Sequence, residues 1–338
     1  MLNFPRKNNL EWLRLVFAIQ VLVTHLAGHL SFNMPAILSN FPGVPAFFFV
    51  SGFLIYASYL NAPGRCYFFN RFLRLWPALF FVTIGGFLVT IVAHGWGSFQ
   101  NNLLEYLIWI FAQLTLGQTY NPLLFRDIGV GVINGSLWTI TVEVIFYLLV
   151  PFIVWAERRF RFIVVALTTL SFLVYAVGPH IWTNPIYRQK TIYDFIALTP
   201  IVWGWMFGFG ILAFKHFILI SKILKYFPIL IFPMIFMIYF ENVLFFNSTG
   251  NRLGLIYCIC YFGIILWVAF ATPFIRLTFD LSYGVYIWHA PVINLILTLS
   301  IPSVPLAFAL TILFAAMSWF FVEKPSLKLK HKFLKPVG

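Results

Sequence analysis

Apolar runs close to membrane-spanning length follow one another from residue 10 to residue 322, with no long polar stretch between them. About 20 apolar residues in a helix cross the hydrocarbon core of a bilayer. A chain made almost entirely of such runs has no soluble core to build. Only 9% of its residues are charged, against about a quarter in soluble domains. The expected fold is all-α, a polytopic membrane helix bundle, with residues 1–338 forming a single transmembrane domain and no attached soluble module. The first run holds charged residues and shows no small-residue cleavage site, so it is not expected to be a removed signal peptide.

Basic residues outnumber acidic ones by 22 to 9, a formal net charge of +13. They cluster in short loops beside the apolar runs, as orientation signals do, and this placement argues against a nucleic-acid partner. Arg6 and Lys7 put the N-terminus in the cytoplasm. The first span, 10–32, then runs outward to an uncharged loop around 33–43, and spans at about 44–61 and 75–94 follow. Arg65, Arg71 and Arg74 are expected in the cytoplasmic loop between those two. Gly85 and Gly86 in the third span allow close helix packing.

Residues 103–117 are apolar but short. If they crossed, Arg158, Arg159, Arg161, Lys215, Lys222, Lys225 and the tail lysines 324, 328, 330, 332 and 335 would all lie outside. Leaving them out keeps every cluster in the cytoplasm, so 95–135 reads as an outer-side or re-entrant excursion. The remaining spans are expected at about 136–156, 162–178, 195–214, 227–241, 253–274, 281–300 and 303–322. That makes about ten, with both termini cytoplasmic and 323–338 a basic tail. Neither an inverted repeat nor a pair of short broken helices is visible. Cys66, Cys258 and Cys260 have no metal or redox spacing and read as structural; no metal site is expected.

Ionisable groups inside a bilayer are costly, and those that persist face the protein interior and serve a function. The first span carries Glu11 and Arg14 near one end and His25 and His29 near the other. Arg14 and His25 are eleven residues apart. That is about three turns with roughly 20° left over, so they share a face about 16 Å apart along the axis. His25 stands seven residues from the outer end of its helix, about 10 Å below the outer face. In GSLWTITVEVIFYLLVP, Glu143 also stands seven residues from an outer end, which places it at the same depth. A carboxylate beside the imidazole would orient the ring and stabilise imidazolium, making His25 a stronger general base. The plainer account gives each group its own partner on a neighbouring helix. For Glu143, alone in a long apolar run, a functional role is favoured.

Arg14 lies about 6 Å above the cytoplasmic end of its helix. There it snorkels to the headgroups, pairs with Glu11, or lines a site, and its position leaves all three open. Arg71 and Arg74 in FFNRFLRLWPAL suit phosphate binding by guanidinium groups, but anchoring alone explains them. Ser51-Gly52 in FFFVSGFLIYAS reads first as tight helix packing. LSYGVYIWHAP sets Tyr283, Tyr286 and His289 along one helix side, with His289 about 12 Å above the cytoplasmic face. Either a tyrosine satisfies that histidine or both touch a ligand threading the bundle. His29 reads as interfacial.

These features occur together and in order: Arg14 and His25 with ten residues between them, FFFVSGFL, NRFLRLWP, GSLWTITVE, SYGVYIWH and the closing FVEKP. The set, running from Glu11 to Pro325, resembles acyltransferase family 3 of bacterial integral membrane proteins. The family's opening has Asp where this chain has Glu11, and Gly where it has Leu15. Many relatives carry a soluble esterase-like domain after the membrane part; none is expected here. The resemblance implies O-acylation, most often O-acetylation, of a surface or exported glycan or its lipid-linked precursor. It implies acetyl-CoA or another acyl-CoA from the cytoplasm as co-substrate, no bound cofactor, and a place in the bacterial cytoplasmic (inner) membrane. It marks His25 and Glu143 as catalytic and Arg14 as a donor residue, and it raises Arg71 and Arg74 above anchoring.

In the reaction so implied, acyl-CoA enters with its phosphates near Arg71, Arg74 and Arg14. Ser51, Tyr286 and His289 line the donor's path to the level of His25 and Glu143. His25 takes the proton of a sugar hydroxyl that attacks the thioester, or is itself acylated first. Ser136, Trp138, Thr139 and the backbone near Gly135 are the acceptor-side candidates for stabilising the oxyanion. The competing class is a proton-coupled glycan or lipid transporter or flippase, which buried Arg, His and Glu fit equally well. A scaffold or sensor in an envelope complex leaves the buried charges unexplained.

Overall fold

The computed structural model describes residues 4–182, 196–239 and 245–330. Among these the regular elements are all helical. The chain runs through α1 (Leu10–His29), the short α2 (Ala36–Ser39), α3 (Gly43–Asn61), α4 (Arg65–Asn101), α5 (Leu103–Leu114), α6 (Trp138–Glu157) and α7 (Ile163–Trp182). It continues with α8 (Pro200–Lys215), α9 (Phe217–Ile223), α10 (Ile231–Ile238), α11 (Leu255–Ala271), α12 (Ser282–Thr298), α13 (Val304–Met317) and α14 (Lys324–Lys328). Six stretches of the described residues are long and apolar enough to cross a membrane: 10–29, 36–61, 65–101, 135–157, 217–238 and 304–328. Shorter apolar helices stand at 103–114, 163–177, 200–215 and 255–271. Leu88, Phe111, Phe152 and Trp155 are 55%, 69%, 67% and 71% exposed. Side chains of this kind belong against lipid, since water would make such a surface an aggregation site.

Several boundaries differ from those read in the sequence. Helix α4 begins at Arg65, so Arg65, Arg71 and Arg74 ride on a helix and not in a loop. Charge excludes RCYFFNRFLR from the hydrocarbon, but it has no Gly or Pro to stop a helix. Gly95, with φ +76°, breaks α4 where the third span was expected to end; a side chain there would be strained. Helix α5 has 12 residues, about 18 Å, and so falls short of the roughly 30 Å of hydrocarbon. The segment expected as one span from 227 starts at Phe217 and comes in three pieces: α9, a 3-10 stretch Leu224–Leu230, and α10. Pro228 and Pro233 withhold the backbone donors that would make it continuous. Lys222 and Lys225 therefore lie on helical turns, and one broken segment does exist. Residues 183–195, 240–244 and 331–338, with Lys332 and Lys335, lie outside the described residues.

Two units make up the chain. The first comprises residues 1–17, 35–64 and 142–277. Its centre is α8, on which both α3 and α7 pack. A Cβ on Gly52 would run into the backbone of Phe207, so glycine sets this approach, as the Ser51-Gly52 pair led us to expect. Phe146 stacks on Phe207 at 4.0 Å and Phe49 on Phe262 at 4.3 Å. Tyr56 and Lys215 both donate to the Glu157 carboxylate at the end of α6. The Asn9 amide donates to Thr272 Oγ1 and the Pro273 carbonyl, 2.9 Å each, and so ties the N-terminal segment to the end of α11.

The second unit comprises residues 18–34, 65–141 and 278–338. Here α12 packs on α13 and α4, and α5 lies along α4. Gly85 lets the Trp288 ring lie against α4. The excursion after α5 closes over a buried cluster of Val89, Tyr106, Trp109, Phe125, Ile128 and Ile133. Asn294 pins it: its side-chain oxygen accepts from Val130 N at 2.8 Å, and its amide donates to Val132 O at 2.9 Å. After α13 the backbone widens into a π-helical turn, Ser318–Glu323, which packs on α4 and leads into α14. Pro325, one residue into α14, has no N–H to return to the preceding turn.

Candidate active site

Helix α1 is unbroken from Leu10 to His29, so Arg14 and His25 share one helix as the sequence spacing requires. His25 Nδ1 lies 2.8 Å from the Val21 carbonyl oxygen, one turn back. A carbonyl oxygen only accepts, so in the neutral ring Nδ1 carries the proton and Nε2 keeps its lone pair. The backbone of α1 thereby fixes both the tautomer and the ring. A polar helix position becomes an oriented base.

The same device recurs on α12. His289 Nδ1 faces the Val285 carbonyl at 3.3 Å, again one turn back, and the residue is fully buried. Its Nε2 is buried without a hydrogen-bond partner. The His25 and His289 rings are 4.7 Å apart, centroid to centroid, and tilted by 49°. His29 stands 6.0 Å from His25, ring to ring. The sequence placed His25 and His289 at different depths, and the structure brings them together. Both rings turn Nδ1–H onto their own helix, so the proton acceptors that remain are the two Nε2 atoms.

Tyr286 is 5.9 Å from His289, ring to ring. Its hydroxyl shares a hydrogen bond of 2.6 Å with Thr139 Oγ1 and donates to the Ser136 carbonyl at 3.3 Å. Ser136 in turn donates to Asn134 Oδ1 at 2.7 Å and to the Tyr286 carbonyl at 3.4 Å. The hydroxyls of Ser136 and Thr139 thus bind the turn before α6 to α12. Trp138 is half-buried. Tyr283 donates to the Leu75 carbonyl of α4 at 3.2 Å.

Arg74 forms an ion pair of 2.6 Å with Asp280, and both side chains are largely buried, 13% and 14% exposed. Asp280 also accepts from the Ser282 hydroxyl at 2.6 Å and from Ser282 N at 3.3 Å, so it caps α12. Arg74 therefore fixes the start of the helix that carries Tyr286 and His289. Asp280 went unnoticed in the sequence because it stands outside any apolar run, where an acidic residue looks like a loop residue.

In the other unit, Glu143 is half-buried on α6. Its Oε1 accepts from Tyr147, one turn along, at 2.5 Å, and from Ser51 of α3 at 3.4 Å. Ser51, expected beside the donor, donates to this carboxylate, and Tyr147 is a partner the sequence reading missed, although its i, i+4 spacing from Glu143 was the signal that could have found it. Arg14 is half-buried in the same unit. His25 and Glu143 fall in different units, and their pairing belongs to the proposal below.

An imidazole held as a base, with a second imidazole beside it and a guanidinium anchor at the foot of the second helix, is equipped for proton transfer to and from a bound substrate. The acyltransferase domain family matches residues 7–323. The chain belongs to acyltransferase family 3. Nodulation protein 10 of Rhizobium leguminosarum bv. viciae is 28% identical over 354 residues, covering 96% of this chain and 94% of that protein. No solved structure matches the chain. Membership makes this an acyltransferase of the membrane.

Proposed function

We propose that this acyltransferase moves an acetyl group from cytoplasmic acetyl-CoA to a hydroxyl of a surface or exported glycan, or of its lipid-linked precursor. The protein sits in the bacterial cytoplasmic membrane with both termini inside, as its basic segments favour. The observation that carries this reading is the Nδ1–H of His25 bound to the Val21 carbonyl, because it leaves Nε2 as a base on a membrane helix of an acyltransferase.

The chemistry then runs as follows. The acceptor hydroxyl gives its proton to His25 Nε2 as its oxygen bonds to the thioester carbonyl carbon. The tetrahedral intermediate collapses, the C–S bond breaks, and the proton on Nε2 passes to the departing CoA sulfur. An O-acetyl ester and free CoA result. In this reading the role of Glu143 is to support the basicity of His25, and that of Arg14, Arg71 and Arg74 is to bind the phosphates of the donor. Ser51 acts by holding Glu143, and Tyr286 and His289 border the thioester.

The test is transfer of radiolabel from acetyl-CoA in membranes that contain the protein. Label appears in the glycan and acetyl-CoA is consumed. Donor left intact, with glycan moved across the membrane, would sink the reading and return the transporter. Comparing the glycan of a deletion strain by mass then names the acyl group and the acceptor.

A further inference from the structure

Helix α4 starts among arginines and leaves helical geometry at Gly95. His94, the last residue before that break, is twenty residues after Arg74. That is about 30 Å of helix rise, the full depth of the hydrocarbon. On the orientation proposed above, His94 stands at the outer face. There His94, Ser98, Leu123, Leu124, Arg126 and Asp127 line a cleft of about 510 Å³. Small-molecule sites fall between about 300 and 1,000 Å³. All six residues belong to the second unit, as do His25 and His289.

His94 Nε2 lies 3.0 and 3.2 Å from the two Asp127 oxygens. The plain reading is a clasp that holds the excursion against α4. That work is done elsewhere. Asn294 fixes Val130 and Val132, and Phe125, Ile128 and Ile133 are buried with Val89, Tyr106 and Trp109. Asp127 is 72% exposed, and an ion pair so open to water adds little to stability. What the contact does is set the direction of an exposed carboxylate, which keeps most of its lone pairs for other donors. Arg126, next to it, is exposed as well.

Charge and position name the class of ligand. An anion would meet Asp127 and a cation would meet Arg126, so the cleft favours a molecule without net charge. It is lined by a carboxylate, a guanidinium, an imidazole and a hydroxyl. Such a set suits a ligand with many hydroxyls, each both donor and acceptor. A sugar has that surface. The Trp288 ring lies against Gly85, which puts α4 and α12 in register beside His289. His94 is nine residues farther along α4, about 13 Å, the length of a few sugar units. The loop that carries Arg126 and Asp127 is also seated on α12 at Asn294, five residues beyond His289. A glycan gripped in the cleft can thus reach back to the imidazole pair.

We propose that His94, Ser98, Arg126 and Asp127 form an acceptor subsite, which holds a neutral sugar of the glycan a few units from the sugar that is acylated. This rests on the glycan-acylation reading above.

The experiment uses the full chain in phosphatidylcholine nanodiscs, radiolabelled acetyl-CoA, and fragments of increasing length cut from the glycan of the deletion strain. Wild type acylates fragments long enough to span the gap with about tenfold higher kcat/KM than shorter ones, the order of one hydrogen bond to a charged group. R126A and D127A each lose that preference and acylate the short fragments as wild type does. A clasp cannot give this result, because a loosened excursion would slow fragments of every length. Loss of activity on short and long fragments alike therefore overturns the subsite. The same length preference in wild type and both variants, or none in wild type, overturns it too and leaves the acylation reading intact. If R126A alone erases the preference and D127A strengthens it, the occupant is an anion and the assignment to a neutral sugar falls. Label that enters the glycan of whole membranes but no fragment removes the subsite alone. Label that enters neither removes both.

Discussion

His25 on α1 and His289 on α12 hold their imidazole rings 4.7 Å apart, each with Nδ1 turned onto the carbonyl four residues back on its own helix. The arrangement leaves the two Nε2 atoms as the ring nitrogens that can take a proton.

His25→Ala should abolish acyl transfer. General-base assistance is worth about 10²- to 10⁴-fold, and alanine leaves nothing in its place. Acetyl-CoA binding and membrane insertion should be unchanged. Transfer retained at a tenth or more of the wild-type rate in membranes would remove His25 from the base role.

His289→Phe separates function from stability. His289 Nε2 is buried with no hydrogen-bond partner, and leaving such an atom unsatisfied costs about 1–3 kcal/mol. An apolar ring of similar shape relieves that cost. The variant should therefore melt higher than wild type in detergent while its kcat falls, with KM for acetyl-CoA unchanged. A lower Tm together with lost activity would mean that His289 serves packing alone.

Glu143→Gln keeps the shape of the side chain and the bonds from Tyr147 and Ser51 but removes the negative charge. Turnover should fall by about 10²-fold, the low end of what general acid–base assistance contributes, with donor affinity unchanged. Tyr147→Phe removes one ligand of the carboxylate and should have a smaller effect of the same kind. If Glu143→Gln weakens acetyl-CoA binding and leaves kcat alone, the carboxylate belongs to the donor site and not to the base.

How much of this could be read from the residues varies by cause. Arg14, His25 and Glu143 stood out because a charged or imidazole group in an apolar run has no cheap explanation, and the Gly52 and Gly85 approaches followed from small residues where helices meet. The meeting of His25 and His289 was hidden. Depth was counted along each helix from its supposed end, and axial rise is not depth once helices tilt, by about 20° on average. The helical start of α4 was missed for a different reason. Charge decides where the hydrocarbon begins, whereas the helix continues as long as nothing breaks the backbone pattern. Asp280 was invisible because its partner comes from an element far away in the chain, 206 residues for the Arg74–Asp280 bond.

The Arg74–Asp280 pair should behave as a coupled unit. Removing one member of a largely buried ion pair leaves a charge without its counterpart, which costs about 3 kcal/mol. Arg74→Ala and Asp280→Ala should each lower stability by that order, and Asp280→Ala should cost about 1 kcal/mol more through the lost cap on α12. The double variant should be less destabilised than the sum of the two singles. Denaturation of all four proteins in one detergent checks this; strict additivity would show that the pair does not bind α12 to α4.

The last prediction concerns pH. Lys330, partly buried, titrates near 8 in the folded protein, against an ordinary 10.5. Between those values the unfolded chain holds a proton that the folded chain has released, so unfolding takes up a proton and the folded state gains stability as pH rises. Below pH 8 both states are protonated, and the cost of the buried charge is fully present. The coenzyme-free protein should therefore show a Tm contribution from Lys330 that climbs from pH 8 to about 10.5 and is absent in K330A. Identical pH profiles of Tm for wild type and K330A would show that Lys330 is an ordinary solvated lysine.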